Sequence, residues 1–206
     1  ILYMTSKWLA PILPYLAVWV GLFLFKSAWG ALIGFHIAIV VALLWLRSAP
    51  PIRILIKPAP WKSIVLNGLL CSLGGVGLYF LWDILGVAVT LGAQLQHLGI
   101  SGLRWFWLIA YFSLVNPFVE EYFWRGALGS NALFPYGGDL VYAGYHVMVV
   151  WNMARPHAIL LMLLSLVFAG WLWRQIYRRD GSLLAPALGH MAADLSILLA
   201  VFIKVG

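Results

Sequence analysis

The 206-residue chain has only six acidic side chains, and three of them stand where a carboxylate needs a reason. Glu120 and Glu121 are adjacent near the end of one apolar run, and Asp194 lies well inside another. A charged side chain at the centre of a membrane-spanning helix costs roughly 2.5 to 3.5 kcal/mol on insertion scales. Three together point to chemistry rather than packing. Asp83, Asp139 and Asp180 sit at run ends or in connectors, where water is close. On a helix, His190 and Asp194 are i and i+4 and stand one above the other; the same spacing pairs Glu121 with Arg125 and Tyr142 with His146. Glu120 and Glu121 differ by about 100° around a helix, so they cannot both do one job.

These types suggest a division of labour. Glu121 with Arg125 reads as a structural ion pair, leaving Glu120 to face a cavity lined by His146 and His190. A carboxylate in a poorly solvated site is suited to taking a proton from water and returning it to a leaving amine. The histidines can hold that water and donate to a developing oxyanion, while Asp194 fixes a tautomer. The constellation reads as hydrolysis of an amide. A haem or proton-carrying protein using His146 and His190 as ligands is a further class, against which the paired glutamates count.

The elements that must position these groups are apolar spans. Hydrophobic residues make up 64% and charged residues 9%, against roughly 25% charged in a soluble domain, which excludes a soluble globule. Seven spans are expected: Leu9 to Phe25, Ser27 to Leu46, Ser63 to Trp82, Trp105 to Trp124, Leu140 to Ala154, His157 to Trp173 and Ser182 to Ile203. The fifth is short and holds His146 and Asn152, so it is read as buried among neighbours. The stretch from Asp83 to Arg104 is read as a tail of span three plus an interfacial segment, with an eighth span disfavoured. The fold expected is an all-α, polytopic transmembrane helical bundle, one integral membrane domain over residues 1–206.

Charge then orients the bundle. Of 13 Lys and Arg residues, nine (Lys7, Arg47, Arg53, Lys57, Lys62, Arg125, Arg174, Arg178 and Arg179) fall on one side of a seven-span path and four on the other. The richer side is expected to be cytoplasmic, together with the N-terminus. The net charge of +7 lies in short connectors without aromatic interleaving, so the expected partner is the anionic leaflet of the lipid bilayer and not nucleic acid. With this topology Glu120, His146, His190 and Asp194 reach one membrane depth. Cys71 is the only cysteine, which excludes an internal disulfide. No cleavable signal peptide is expected, because further spans follow the first apolar run. Met4 is a candidate initiator.

At the acidic and histidine positions the chain resembles the CPBP intramembrane proteases, which include the type II CAAX prenyl endopeptidases. The Glu-Glu-x-x-x-Arg motif stands as Glu120-Glu121-Tyr122-Phe123-Trp124-Arg125, followed by Gly126. The second motif, Phe-x-x-x-His, stands as Tyr142-Ala143-Gly144-Tyr145-His146, with Tyr in place of Phe. The third, His-x-x-x-Asn or Asp, stands as His190-Met191-Ala192-Ala193-Asp194, preceded by Gly181-Ser182-Leu183-Leu184-Ala185-Pro186. Residues 116–195 carry the likeness.

The resemblance implies an intramembrane endopeptidase in which Glu120 activates water, with His146, His190 and Asp194 completing the catalytic set and Glu121, Arg125 and Tyr142 supporting it. The implied partner is a membrane-associated peptide or protein substrate, prenylated in the CAAX case. The implied location is a multi-pass protein of a bacterial cell membrane with its active-site mouth cytoplasmic. A non-catalytic scaffold or self-immunity protein of the same fold is the alternative. Tyr142 brings a hydroxyl that Phe lacks, expected to position His146. No cofactor is expected. Zinc is the competing case, with His146, His190 and either Asp194 or Glu120 as ligands, since a catalytic zinc site needs three protein ligands and an open position. The histidines do not form a His-Glu-x-x-His pair on one helix. His36 and His97 are single and read as packing or interfacial residues, and His157 as interfacial at a helix start.

Overall fold

The structure is a computed structural model that describes residues 7–47 and 49–206. Met4 lies outside the described residues. Among them the chain is helical throughout, with no strand. Helix α1 spans Lys7–Leu24 and closes with a π-helical turn, Val20–Leu24. Helix α2 is Ala28–Leu46, started by Ser27, whose Oγ accepts from Gly30 N at 3.0 Å. After a 3-10 turn, Ile52–Leu55, α3 runs Trp61–Phe80, followed by two short helices, α4 at Trp82–Leu85 and α5 at Leu91–His97. Helix α6, Leu103–Leu114, is succeeded by α7, Asn116–Glu121, which runs on as a π-helix over Tyr122–Ala127. Helices α8 at Gly137–Val150, α9 at Pro156–Asp180 and α10 at Leu184–Val205 complete the chain.

Five of these, α1, α2, α3, α9 and α10, are long and apolar enough to cross a membrane. Their outward faces carry Leu66, Leu69 and Leu73 on α3 and Leu160, Leu161 and Leu164 on α9, all exposed, as hydrocarbon requires of a spanning helix. The all-α bundle is therefore as expected, and the count of seven spans is not confirmed, for two local reasons. The fourth expected span is interrupted: Pro117 has no N–H to offer the carbonyl four residues back and its ring crowds that carbonyl, so α6 stops at Leu114 and α7 restarts at Asn116 with the proline in its first turn. The fifth is the 14-residue α8, about 21 Å long at 1.5 Å per residue, short of a hydrocarbon core of about 30 Å. The stretch from Asp83 to Arg104 forms short helices and no further span.

The connectors gather at two ends. At one, Ser182 Oγ donates to Lys57 O at 2.6 Å, Leu183 N to Ile54 O at 2.9 Å, and Tyr122 Oη to Pro50 O. At the other, Ala28 N donates to Leu98 O at 2.9 Å and Ala88 N to Met153 O at 2.8 Å, while the Lys204 ammonium lies 4.5 Å from the centre of the Tyr79 ring. Helices α3 and α10 run parallel in close contact because glycines remove the obstacle: a Cβ on Gly75 would lie 2.2 Å from the Ser196 carbonyl carbon. An aromatic core of Phe35, Phe123, Trp124, Tyr142, Tyr145 and Trp173 fills the centre.

Candidate active site

The break before Pro117 turns α7 into the bundle, so that Asn116, Glu120 and Glu121 are each at most 1% exposed and Arg125, on the π-helix, is 2% exposed. A π-helix widens the turn and is frequent at functional sites. Glu120 Oε1 accepts from Asn116 Nδ2 at 2.8 Å and from Tyr145 Oη at 2.6 Å. Its other oxygen, Oε2, is buried without a hydrogen-bond partner.

Glu121 faces another way, as the rotation about the helix requires. Its Oε1 lies 3.1 Å from Arg125 Nη1 and 2.9 Å from His190 Nδ1. His190 Nε2 lies 3.5 Å from Asp194 Oδ1, one turn along α10. Both nitrogens of His190 thus face carboxylates, and the carboxylate expected to serve Arg125 alone is shared with a histidine from another helix. Trp173, on α9, stacks on the His190 ring at 4.5 Å and 19°, and its Nε1 donates to Asn67 Oδ1 at 3.2 Å. His190 is therefore clamped on both edges and one face.

Helix α8 contributes the rest. Its start is fixed by Asp139, which accepts from Tyr136 N at 3.1 Å and pairs with the buried Arg174 at 2.7 Å; Arg174 also donates to the carbonyls of Ala132 and Phe134. The His146 ring stacks on Tyr145 at 4.0 Å, and its Nδ1 is buried without a partner. Tyr142 does not position His146 through its hydroxyl, which is also unpartnered. Its ring does the work, edge-on to His146 at 5.4 Å and to His190 at 6.3 Å, with the Arg125 guanidinium 3.8 Å from its centroid. Leaving a buried polar group unpaired costs about 1–3 kcal/mol. Glu120 Oε2, His146 Nδ1 and Tyr142 Oη are each buried without a hydrogen-bond partner, the kind of group that calls for an explanation.

The family described as Type II CAAX prenyl endopeptidase Rce1-like matches residues 102–196. This region belongs to that family. No curated protein and no solved structure matches the chain. The CAAX protease region begins at α6 and ends two residues beyond Asp194, so it holds Glu120, Glu121, Arg125, Tyr142, His146, His190 and Asp194 and leaves out α1 to α5. With the five apolar helices, it makes the chain an integral membrane protein whose protease region is, at the family level, that of a CAAX-type endopeptidase, a hydrolase acting on peptide or protein substrates.

Three residues at the site escape a reading of the sequence. Tyr145 lies within the second motif at a position the motif leaves open; i−1 to His146, it donates its hydroxyl to Glu120. Asn116 is i−4 to Glu120, a spacing that would have marked it. His36, expected to be a packing or interfacial residue, is buried and packs against Phe35 and Tyr111, and its ring nitrogens also lie 3.0 Å from Tyr111 Oη and 3.0 Å from Asn116 Oδ1. Partners 75 and 80 positions away leave no trace in local spacing.

Proposed function

We propose that the protein is an intramembrane endopeptidase that hydrolyses a peptide bond of a membrane-associated, prenylated polypeptide with water activated by Glu120. The observation that carries this reading is the asymmetry of one carboxylate: Oε1 holds two donors, while Oε2 is buried and unspent. Oε2 accepts the proton of a water whose oxygen attacks the scissile carbonyl. The oxyanion that forms meets the remaining donors, His146 and Tyr142 Oη. Glu120 then returns the proton to the leaving amine as the C–N bond breaks, and the carboxylate is regenerated. His190, held by Glu121 and Asp194, forms the fixed wall of the site and orients the helices that bear the reacting groups.

The mechanism is read as metal-free. Both nitrogens of His190 face carboxylates, so this histidine could bind a metal only by giving up one of those partners. The active-site mouth is assigned to the side of the bundle that bears Arg53, Lys57 and Lys62, which the bias of basic residues puts in the cytoplasm.

Glu120→Gln tests the reading. The amide preserves shape and loses the base, so cleavage of a fluorogenic prenylated CAAX peptide by the purified protein falls by about 10² to 10⁴, while membrane insertion and thermal stability are kept. Full activity in this variant would remove the mechanism, and a wild-type protein that cleaves no peptide in any membrane proteome comparison would favour the non-catalytic scaffold.

A further inference from the structure

His36 lies on α2, outside the region that matches the protease family, is 8% exposed, and has no part in the hydrolytic cycle above. Its hydrogen bonds nevertheless end on the base. Nδ1 lies 3.0 Å from Tyr111 Oη on α6, and Nε2 lies 3.0 Å from Asn116 Oδ1 on α7. Asn116 in turn directs Nδ2 at Glu120 Oε1, 2.8 Å away, and at Asp194 Oδ2, 3.5 Å away.

Donor and acceptor chemistry gives this chain a direction. A carboxylate able to act as base only accepts, so the Asn116 amide must present its NH₂ to Glu120; turned over, it would set its carbonyl oxygen against the carboxylate. Asn116 Oδ1 is then the atom facing His36, and an amide oxygen only accepts, so His36 Nε2 carries a proton. In the neutral ring Nδ1 is therefore the acceptor, and Tyr111 donates to it. Each step hands its hydrogen toward Glu120: Tyr111 to His36, His36 to Asn116, Asn116 to Glu120. Aligned hydrogen bonds in a low-dielectric interior polarise one another.

We propose that His36 is a positioning residue for the hydrolysis: through Asn116 it fixes Glu120 Oε1, so that Oε2 is the oxygen left to take the proton from water. Tyr145 supplies the second donor to Oε1 from the opposite side. The inference rests on the reading of Glu120 as the base. It makes α2 part of the active site by hydrogen bonding, although α2 lies outside the family match.

The test uses the full chain purified in lipid nanodiscs and a fluorogenic prenylated CAAX peptide. His36→Phe keeps a ring of similar size and removes both nitrogens; His36→Gln restores a donor near the position of Nε2. A hydrogen bond that organises a charged group is expected to cost about 10- to 100-fold in kcat when broken, so His36→Phe falls by that factor with KM held within about twofold, and His36→Gln recovers most of the loss. Tyr111→Phe, which removes one hydroxyl at the far end, gives a smaller loss in the same direction and serves if His36→Phe fails to fold. A His36→Phe protein with wild-type kcat overturns the proposal, as does a His36→Gln protein no better than His36→Phe, which would make the role one of packing. Glu120→Gln is measured in parallel: if it is active, the reading of the base falls and this inference with it; if it is inactive while His36→Phe runs at the wild-type rate, only this inference falls. A readout independent of turnover is ¹⁵N-histidine solid-state NMR, with the His36 signals assigned by their loss in His36→Gln. A protonated Nε2 and a bare Nδ1 are expected, and the reverse tautomer overturns the relay.

Discussion

Glu120 and Glu121 are chemically identical neighbours whose carboxylates meet different partners, and the proposed difference in their duties rests on what each oxygen touches. Glu121 Oε1 is shared between Arg125 and His190. Removing the charge strands a guanidinium that is 2% exposed, and breaking a buried pair from one side costs about 3–5 kcal/mol. Glu121→Gln is accordingly expected to lower the unfolding midpoint and the yield, whereas Glu120→Gln loses turnover with little change in stability; thermal unfolding of the two variants in one detergent compares them directly. A Glu121→Gln protein as stable as wild type would mean that Arg125 is held by the Tyr142 and Trp173 rings instead. Metal also belongs to this scale. Prolonged treatment with phenanthroline is expected to leave most activity, and elemental analysis to find far less than one zinc per chain. Activity lost on chelation and restored by zinc would make His146, His190 and Asp194 or Glu120 ligands, which requires His190 to leave one of its carboxylate partners.

At the scale of elements, the site depends on the fit of α3 to α10, because α10 carries His190 and Asp194 and α3 carries Asn67, which binds both Trp173 Nε1 and the Ala185 carbonyl. Two glycines of α3 make an internal comparison. Gly75 faces the Ser196 backbone with no room for a methyl group, while a Cβ on Gly77 meets nothing within 4 Å. Overpacking of this kind typically costs about 1–3 kcal/mol. Gly75→Ala is expected to destabilise the protein by that amount and to lower turnover as α10 shifts, and Gly77→Ala to be neutral or slightly stabilising, since Ala is the better helix former. Equal melting temperatures for the two variants would show that the α3–α10 contact is less tight than described. The break between α6 and α7 is a second device at this scale: an unbroken helix through Val115 and Pro117 would carry Asn116 and Glu120 elsewhere on its surface.

For the whole molecule, orientation follows from where the basic connectors gather. Arg53 and Lys57 flank the hydrogen bonds that tie residues 54 and 57 to residues 182 and 183, and Lys204 sits at the other end over Tyr79. On the proposed orientation, with the basic side cytoplasmic, Ile56, which is exposed, is expected to lie inside the cell. In a Cys71→Ser background, an Ile56→Cys variant is expected to resist an impermeant maleimide in intact cells and to label once the cells are opened. Labelling of intact cells would invert the orientation and put the site mouth outside.

How much of this the sequence holds depends on the range of the interactions involved. Apolar runs dictate spanning helices because hydrocarbon satisfies no backbone hydrogen bond, so α1, α2, α3 and α10 start and end within two residues of where hydropathy puts them, and α9 starts within one residue but runs on seven residues past Trp173 to Asp180. Pairs one helical turn apart are fixed by helix geometry alone, and Glu121 with Arg125 and His190 with Asp194 meet as their spacing requires. The sequence also holds Pro117, yet an apolar run masks the break it imposes, because hydropathy sums composition and not backbone donors. What remains was decided by tertiary packing. That Glu121 is shared with His190, that Trp173 covers that histidine, and that His36 reaches Glu120 through Asn116 all depend on contacts between helices distant in sequence. Such partners are chosen by which faces of separate helices pack together, and no local period records that choice.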